Sequence, residues 1–163
     1  MLLLALDTST PAVTAAVHDG ERTLAERTTV DARRHGELLA PAVAEVLGDA
    51  GARPRDLTAI AVGVGPGPFT GLRVGLVTAR TMAAVLGVPV HGVCSLDVLA
   101  VDADVPDGDF LVATDARRRE VYWARYAGPW SRLTAPAVGT PAAVSAADPH
   151  LPVVGQGAEL YPD

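Results

Sequence analysis

The chain has 163 residues, 49% of them hydrophobic, which suffices for one domain with a packed core or for two small lobes and excludes a disordered protein. Its 13 Lys and Arg residues against 19 Asp and Glu residues give a net charge of −6, which lacks the basic excess that phosphate-backbone binding requires. The one cysteine, Cys94, excludes an intramolecular disulfide and a cysteine-based metal cluster, and it suits a reducing cytosol.

The first elements are predicted as strands. Residues 2–6 form a short apolar run that stops at Asp7, too early for a signal peptide or a membrane span, so it is predicted as a buried strand. Residues 12–20 and 21–30 flank the dipeptide Asp19-Gly20, which is a strong hairpin signal. The chain is therefore expected to open with three strands.

Helices and strands then alternate. The segment "HGELLAPAVAEVLGDAG" has apolar residues at helical spacing, and Pro41 is expected to kink this helix or to mark its first turn. A buried strand over 57–65 leads into the glycine-rich segment "GVGPGPFTGLRVG". A helix capped by Thr70 is predicted to run to Leu86, with apolar residues around most of its circumference. "VPVHGV" then predicts a strand, and "SLDVLAV" a short helix capped by Ser95.

The acidic segment 102–109 predicts the boundary between two lobes, 1–102 and 103–163. In the second lobe, "FLVATDARRREVYWARY" predicts two strands around a turn at 115–118. The remainder is rich in proline and glycine, with a brief "LPVVGQG" strand and no helix long enough to close a lobe. We therefore expect a complete first lobe and a second lobe that is cut short.

Two segments are candidates for a ligand site. The glycine-rich segment matches neither G-x-G-x-x-G nor a Walker loop, so it is either a tight structural turn or an unusual ligand loop. The turn "DTST" offers an acid that could orient a metal-bound water and hydroxyl groups that could bind phosphate, or it is a strand-ending Asx turn. Its residues are Asp7, Thr8, Ser9 and Thr10.

The order of these motifs resembles the TsaB (YeaZ) family, whose bacterial members are needed for threonylcarbamoyladenosine (t6A) formation at position 37 of tRNAs that read ANN codons. The resemblance rests on "LALDTST", "HGELLAPAV", "GVGPGPFTGLRVG", "GVCSLDVLA" and "DARRREVYWARY", which span most of the chain. It implies an α/β protein with the two-lobed actin-like, Hsp70-like ATPase fold, which is ribonuclease H-like. The "DTST" turn would correspond to the phosphate-facing loop of that fold.

The same resemblance implies a protein without catalytic residues, metal or cofactor. In the catalytic relative, TsaD, a His-x-x-x-His pair on the short helix after the fifth strand binds the metal. Ser95 and Leu99 align with those histidines. The histidines of this chain lie in four separate segments without a ligand partner, and His35 is expected to be a helix cap or a surface group.

The resemblance also implies partners. They are a TsaD-type catalytic subunit, a TsaE-type ATPase and, when the chain is alone, a second copy of itself. The tRNA is reached only indirectly, no membrane is involved, and the location is cytoplasmic. The expected interface residues lie on the first two helices: Leu38, Leu39, Val43, Leu72, Arg73, Leu76, Val77 and Arg80.

Two alternatives stay open. The chain could be an autonomous nucleotide-dependent enzyme, either ATPase- or kinase-like or a glycoprotease-like hydrolase, with Asp7 as base or metal orienter. The triplet Arg117-Arg118-Arg119 could contact RNA, although the acidic composition favours a solvated strand end.

Overall fold

The structure is a computed structural model that describes residues 1–103, 105 and 108–161. The chain divides into two compact units, with the division between Val93 and Cys94. The first unit is built on a five-stranded sheet in the order β3-β2-β1-β4-β5. Its strands are β1 (Leu3–Asp7), β2 (Ala12–His18), β3 (Thr23–Val30), β4 (Ala59–Gly63) and β5 (Val90–Val93).

Strand directions follow the connections. β1, β2 and β3 pair antiparallel, and the predicted turn at Asp19-Gly20 is confirmed, with Gly20 at φ +104°. β4 lies parallel to β1 on the other side, and β5 lies parallel to β4. The connection from β1 to β4 includes helix α1 (His35–Asp49), and the connection from β4 to β5 is helix α2 (Phe69–Leu86), because parallel neighbours need a crossover.

Both helices share one core with the sheet. Alternate residues of the strands, among them Leu4, Leu6, Val13 and Ile60, are at most 3% exposed. α1 contributes four large or β-branched residues to this core, and α2 contributes two alanines: Leu39, Val43, Val46, Leu47, Ala79 and Ala83. The alternation in the strands places one face of the sheet against the helices.

The second unit contains a four-stranded sheet in the order β8-β7-β6-β9. β6 (Phe110–Arg117) and β7 (Glu120–Tyr126) form the predicted hairpin, but its turn lies at 118–119 and not at 115–118, because β6 continues to Arg117. β8 (Ala137–Gly139) pairs with β7, and β9 (Val153–Val154) pairs with β6. Helix α3 (Ser95–Asp102) packs on one side of this hairpin through Leu96 and Ala100. The unit also contains two short helices that the sequence did not predict, α4 (Pro141–Ala147) and α5 (Gln156–Leu160).

The lobe boundary differs from the prediction. Because α3 contributes its buried residues to the core under β6 and β7, it belongs to the second unit, so the division falls one short helix earlier than predicted. The predicted boundary segment includes Asp104, Pro106 and Asp107, which lie outside the described residues.

Two local predictions about helix caps were wrong, and so was the second alternative for Pro41, a place in the first turn of its helix. The Leu72 N–H bonds to the Pro68 carbonyl at 3.1 Å, so α2 begins at Phe69 and Thr70 is not its cap. Likewise Cys94, not Ser95, occupies the cap position of α3, because the Asp97 N–H bonds to the Cys94 carbonyl. Pro41 lies beyond the first turn of α1, on an exposed position where water can reach the carbonyl that loses its partner.

α2 has an unusual hydropathy for a surface helix. Among the described residues it is the one helix long and apolar enough to cross a membrane, with a mean hydropathy of 1.2 over 18 residues. Length and composition alone are weak support for a span, because a core-packing helix passes the same test. In this structure α2 packs one side on β4 and β1.

Candidate functional site

The "DTST" turn and the glycine-rich loop lie at the same edge of the first sheet. β1 and β4 are parallel neighbours with Leu6 beside Val62, so the chain leaves both strands in the same direction. The turn, residues 7–10, follows β1, and the loop, residues 64–68, follows β4. Ligands of open α/β sheets bind at this edge, where the carboxyl ends of the strands meet.

Thr8 is held inside this edge and bonds to the second helix. It is 1% exposed, and its hydroxyl donates to the Gly71 carbonyl at 2.8 Å and accepts from the Gly75 N–H at 3.0 Å. A Cβ at Gly71 would lie 2.7 Å from the Thr8 carbonyl oxygen, and one at Gly75 would lie 2.6 Å from the Thr8 hydroxyl. The first two turns of α2 can approach Thr8 only because these two positions lack side chains.

The loop itself is packed in the same way. A Cβ on Gly63 would overlap the Asp7 carboxylate, and one on Gly67 would overlap the Ser9 carbonyl oxygen. The glycines therefore let the backbone of the loop pack directly on the "DTST" turn. The structural interpretation of the glycine-rich segment, a tight turn that permits close approach of backbones, is confirmed.

Asp7 and Ser9 form the local turn. The Asp7 carboxylate accepts a hydrogen bond from the Ser9 N–H at 2.7 Å, the geometry of an Asx turn at a strand end. Ser9 is 1% exposed, and its hydroxyl has no hydrogen-bond partner among the described residues. The turn thus keeps the acid and hydroxyl groups of the predicted phosphate loop, but two of its three hydroxyl-bearing residues are buried.

Thr10 connects the turn to the first helix. Its carbonyl lies 2.8 Å from Nε2 of His35, the first residue of α1, so the ring donates through that nitrogen. His35 is 9% exposed. The expectation that His35 is a cap or a surface group was wrong, because its ring is buried between α1 and the turn.

α2 presents an apolar face that nothing in the first unit covers. Its sheet side is a stripe of small residues at four-residue spacing, Gly71, Gly75, Ala79 and Ala83. On the opposite side Phe69 is 73% exposed, Val77 55% and Val85 80%. A shallow groove of about 420 Å³ runs along the first half of this side. Its lining residues are Phe69, Thr70, Arg73, Val74, Val77 and Thr78.

Comparison with known proteins identifies the family. The TsaD family model, described as tRNA N6-adenosine threonylcarbamoyltransferase, matches residues 22–150. The tRNA threonylcarbamoyladenosine biosynthesis protein TsaB of Escherichia coli is 35% identical over an alignment that covers 100% of this chain and 74% of that protein. The chain belongs to the TsaB family.

Other relatives of this TsaB chain agree. An uncharacterized protein of Mycobacterium tuberculosis is 52% identical, with 94% of the chain and 71% of that protein covered. The solved YeaZ structure from Pseudomonas aeruginosa superposes with a TM-score of 0.76 at 35% identity, covering 86% of this chain and 67% of that one. A relative in Mycobacterium leprae is 55% identical, but the chain spans only 39% of its length.

More distant structures show the fold alone. The activator of the 2-hydroxyisocaproyl-CoA dehydratase from Clostridium difficile has a TM-score of 0.53 at 14% identity, covering 86% of this chain and 46% of that one. This neighbour shares the actin-like ATPase fold, which the resemblance to the TsaB family implied. At this identity it says nothing about activity.

In the TsaB chain, the positions that align with the TsaD histidines lie on α3. Ser95 is the first residue of this helix and is 4% exposed. Leu99, one turn later, packs partly buried against the core that contains Leu96 and Ala100. Among the described residues, no three His, Cys, Asp or Glu side chains come together in a group that could hold a metal ion.

The predicted interface residues separate into three groups. Leu39 and Val43 are 1% and 7% exposed in the core, so they were wrong as surface residues. Their position on the sheet side of α1 explains this, because helical spacing alone does not reveal which apolar side faces the sheet. Leu38, Leu72 and Leu76 are half-buried, whereas Arg73, Val77 and Arg80 are exposed on α2.

A hydrogen-bonded network joins α3 to the second sheet. The Tyr126 hydroxyl donates to Asp97 at 2.7 Å, and Arg132 donates to both oxygens of the same carboxylate at 2.9 and 3.1 Å. Burial, together with the hydrogen bond to Asp97, raises the pKa of Tyr126 well above its usual value. Its ring stacks on Phe110, with 5.6 Å between ring centroids.

Proposed function

We propose that this chain is a non-catalytic scaffold subunit required for t6A formation at position 37 of ANN-decoding tRNAs. It binds a TsaD-type catalytic subunit and helps to recruit a TsaE-type ATPase. The observation that carries the proposal is the exposed apolar face of α2, in a chain whose relatives include TsaB proteins named for t6A biosynthesis. It acts in the cytoplasm. It reaches tRNA through its partners, because a net charge of −6 does not favour binding to a phosphate backbone.

The spacing on α2 suits a helix partner. Thr70, Arg73, Val77, Arg80 and Ala84 are exposed and alternate at intervals of three and four residues. This seven-residue repeat keeps one face of a helix directed at a neighbouring helix. Because the TsaD family model aligns over residues 22–150, a TsaD-type partner would share the equivalent helix.

Pairing of equivalent helices would let the same face of α2 form both a complex with the TsaD-type subunit and a homodimer. Two proteins of the same fold can pair the same helices about an approximate two-fold axis, and two copies of one chain can do so exactly about a true one. We therefore propose that the TsaD-type subunit and a second copy of this chain compete for α2. The stem of Arg73, whose guanidinium lies 6.0 Å from the Phe69 ring centroid, extends the apolar surface.

The autonomous nucleotide-dependent enzyme is less well supported. The hydroxyl of Thr8 already donates to Gly71 and accepts from Gly75. Using it to bind a phosphate at the "DTST" turn would break both bonds. Ser95 and Leu99 would also have to replace metal-binding histidines, and leucine has no ligand atom.

The proposal is tested by reconstitution. The reaction contains an unmodified ANN-decoding tRNA, threonylcarbamoyl-adenylate, and the TsaD- and TsaE-type proteins of the same organism. Leaving this chain out should abolish t6A formation measured by mass spectrometry of digested tRNA. Asp7→Asn, which keeps an acceptor for the Ser9 N–H, should leave at least half of the activity.

Two results would contradict the proposal. Full t6A formation without this chain would remove the need for a scaffold. An Asp7→Asn protein that binds the TsaD-type subunit normally yet supports no modification would assign chemistry to the turn.

A further inference from the structure

The hairpin between β6 and β7 ends in three consecutive arginines, Arg117, Arg118 and Arg119, here called the arginine tip. All three are exposed, and their φ angles are +67°, +54° and +62°. Arg117 pairs with Glu120 across the hairpin, so Arg118 and Arg119 are the two central residues of the turn. Positive φ at both central positions is the requirement of a type I′ turn.

Arginine is an unfavourable residue for this backbone. In the left-handed region the Cβ of an L-residue crowds the following carbonyl oxygen, so Asn-Gly, Asp-Gly and Gly-Gly are the usual choices for such a turn. Among the described residues, no other residue except glycine has a positive φ. The turn therefore holds long charged side chains at the positions where folding favours small ones.

The arginine tip is also poorly neutralised by the protein. The Asp115 carboxylate lies 3.7 Å from the Arg117 guanidinium and accepts from its backbone N–H at 2.8 Å. Neither Arg118 nor Arg119 forms an ion pair with any described residue, although Glu120 follows them directly. Of the ten arginines outside the tip, six are paired with carboxylates: Arg22, Arg27, Arg34, Arg53, Arg125 and Arg132. The other four form no ion pair with a described residue: Arg33, Arg55, Arg73 and Arg80.

We propose that the arginine tip binds phosphate groups of an RNA backbone. This inference rests on the proposed function, which brings an RNA to the assembly. It adds one direct contact between this chain and the RNA, which the proposed function alone reaches only through partners. Guanidinium groups bind phosphate through paired parallel hydrogen bonds, and adjacent arginines on a convex tip can reach neighbouring phosphates. The acidic remainder of the chain keeps the affinity low, so the tip positions an RNA that the partner also holds.

An acidic protein surface is the less suitable partner. A stable protein interface needs about 800 Å² and 20–30 residues on each side, whereas the tip offers three residues on a narrow turn. Phosphate contacts act one by one, and each contributes through its own charge. The small size of the tip therefore favours a phosphate chain.

The variant R118N/R119G separates the effect of the turn residues on folding from their proposed binding of RNA. Asn-Gly suits the observed backbone, so this variant should unfold at a higher temperature than the wild type while losing both unpaired guanidinium groups. The matched control, R33Q/R55Q, removes the same charge from two exposed arginines that also form no ion pair with described residues. The conservative variant R118K/R119K keeps the charge but lacks the planar fork.

The measurement is fluorescence anisotropy of a labelled, unmodified ANN-decoding tRNA transcript over a KCl series. It is made with the chain alone at low salt and with its complex with the TsaD-type subunit. R118N/R119G should bind about tenfold more weakly in both settings, and the log-log salt slope should become about 2 units less steep for two lost phosphate contacts. R33Q/R55Q should match the wild type, and R118K/R119K should lie between the two.

The inference is overturned if R118N/R119G and R33Q/R55Q bind RNA equally well. If R118N/R119G instead weakens only the complex with the TsaD-type subunit, seen by size exclusion, the tip contacts protein. Should the wild-type chain form no such complex, the proposed function fails, and the measurement on the chain alone still decides whether the tip contacts RNA.

Discussion

At the scale of single residues, the hydroxyl of Thr8 and two glycines determine where α2 lies. Thr8 bonds to the backbone of Gly71 and of Gly75, which are one helical turn apart. These two bonds attach the first two turns of α2 to the "DTST" turn. We therefore propose that the residues that the sequence suggests as a phosphate loop serve the proposed interface by positioning its helix.

Gly75→Ala should lower the free energy of unfolding by about 2 kcal/mol, because the new Cβ would lie 2.6 Å from the Thr8 hydroxyl in a packed site. Gly48→Ala is the matched control, since it is also helical and a Cβ there meets nothing within 4 Å. That variant should raise the free energy of unfolding by about 0.5–1 kcal/mol. Urea denaturation followed by circular dichroism measures both, and equal effects would refute the close packing.

Tyr126→Phe tests the network in the second unit. Burial and Asp97 raise the pKa of Tyr126 in the folded protein, so as the pH rises the unfolded state loses the tyrosine proton first. The contribution of Tyr126 to stability is full below about pH 10, the ordinary pKa of tyrosine, and is lost as the pH rises further. The free energy of unfolding can be measured by urea denaturation at about pH 8 and at about pH 11. It should fall less between these two pH values for Tyr126→Phe than for the wild type.

Tyr122→Phe is the control for that experiment, since it changes a tyrosine of the same strand and leaves the bond between Tyr126 and Asp97 in place. It should keep the wild-type pH dependence. Identical pH profiles for Tyr126→Phe and the wild type would contradict the assignment.

At the scale of elements, α2 has one side of small residues that packs on the sheet and an opposite side on which large apolar residues are exposed. An exposed apolar face of this kind is typical of an interaction site, and we propose that a second helix covers it when the protein functions. The surplus apolar face that the sequence predicts is confirmed by the exposure of Val77 and Val85.

The strands of the first unit and most helices follow from periodic patterns in the sequence, but the order of the strands and the packing of the turns do not. The hairpin at Asp19-Gly20 and the helix over 35–49 are local signals, read from neighbouring residues. The contact of Thr8 with Gly71 joins residues 63 positions apart, and no local pattern reveals it. α4 was missed although Thr140 and Pro141 form a recognisable helix start, with the Thr140 hydroxyl accepting from the Ala143 N–H.

Val77→Glu should make the isolated chain monomeric at micromolar concentration. Burial of apolar area in a helix-pairing interface contributes about 25 cal/mol per Å² to association. A carboxylate at the centre of this interface would lose its hydration without gaining a hydrogen-bond partner. Val98→Glu on α3 is the matched control, because Val98 is also helical and is 52% exposed against 55% for Val77. Sedimentation velocity should find a dimer for the wild type and Val98→Glu, and a Val77→Glu dimer would place the interface elsewhere.

At the scale of the whole molecule, the chain has the actin-like fold and a TsaB family signature, and it spans 74% of the E. coli TsaB and 39% of the M. leprae relative. The Thr8 hydroxyl of the predicted phosphate loop is bonded to α2. On α3, Ser95 and Leu99 stand at the positions that align with the TsaD histidines. What the first unit leaves accessible is the α2 face. We therefore propose that the molecule functions by binding a partner through this face.

The most direct test of this account is isothermal titration calorimetry of the TsaD-type subunit with the wild type, Val77→Glu and Val98→Glu. A charge in the centre of a packed interface typically costs about 2–4 kcal/mol, so Val77→Glu should bind at least about 30-fold more weakly than the wild type, whereas Val98→Glu should bind as the wild type does. Undiminished binding by Val77→Glu would contradict the claim that the outward face of α2 is where this chain meets its catalytic partner.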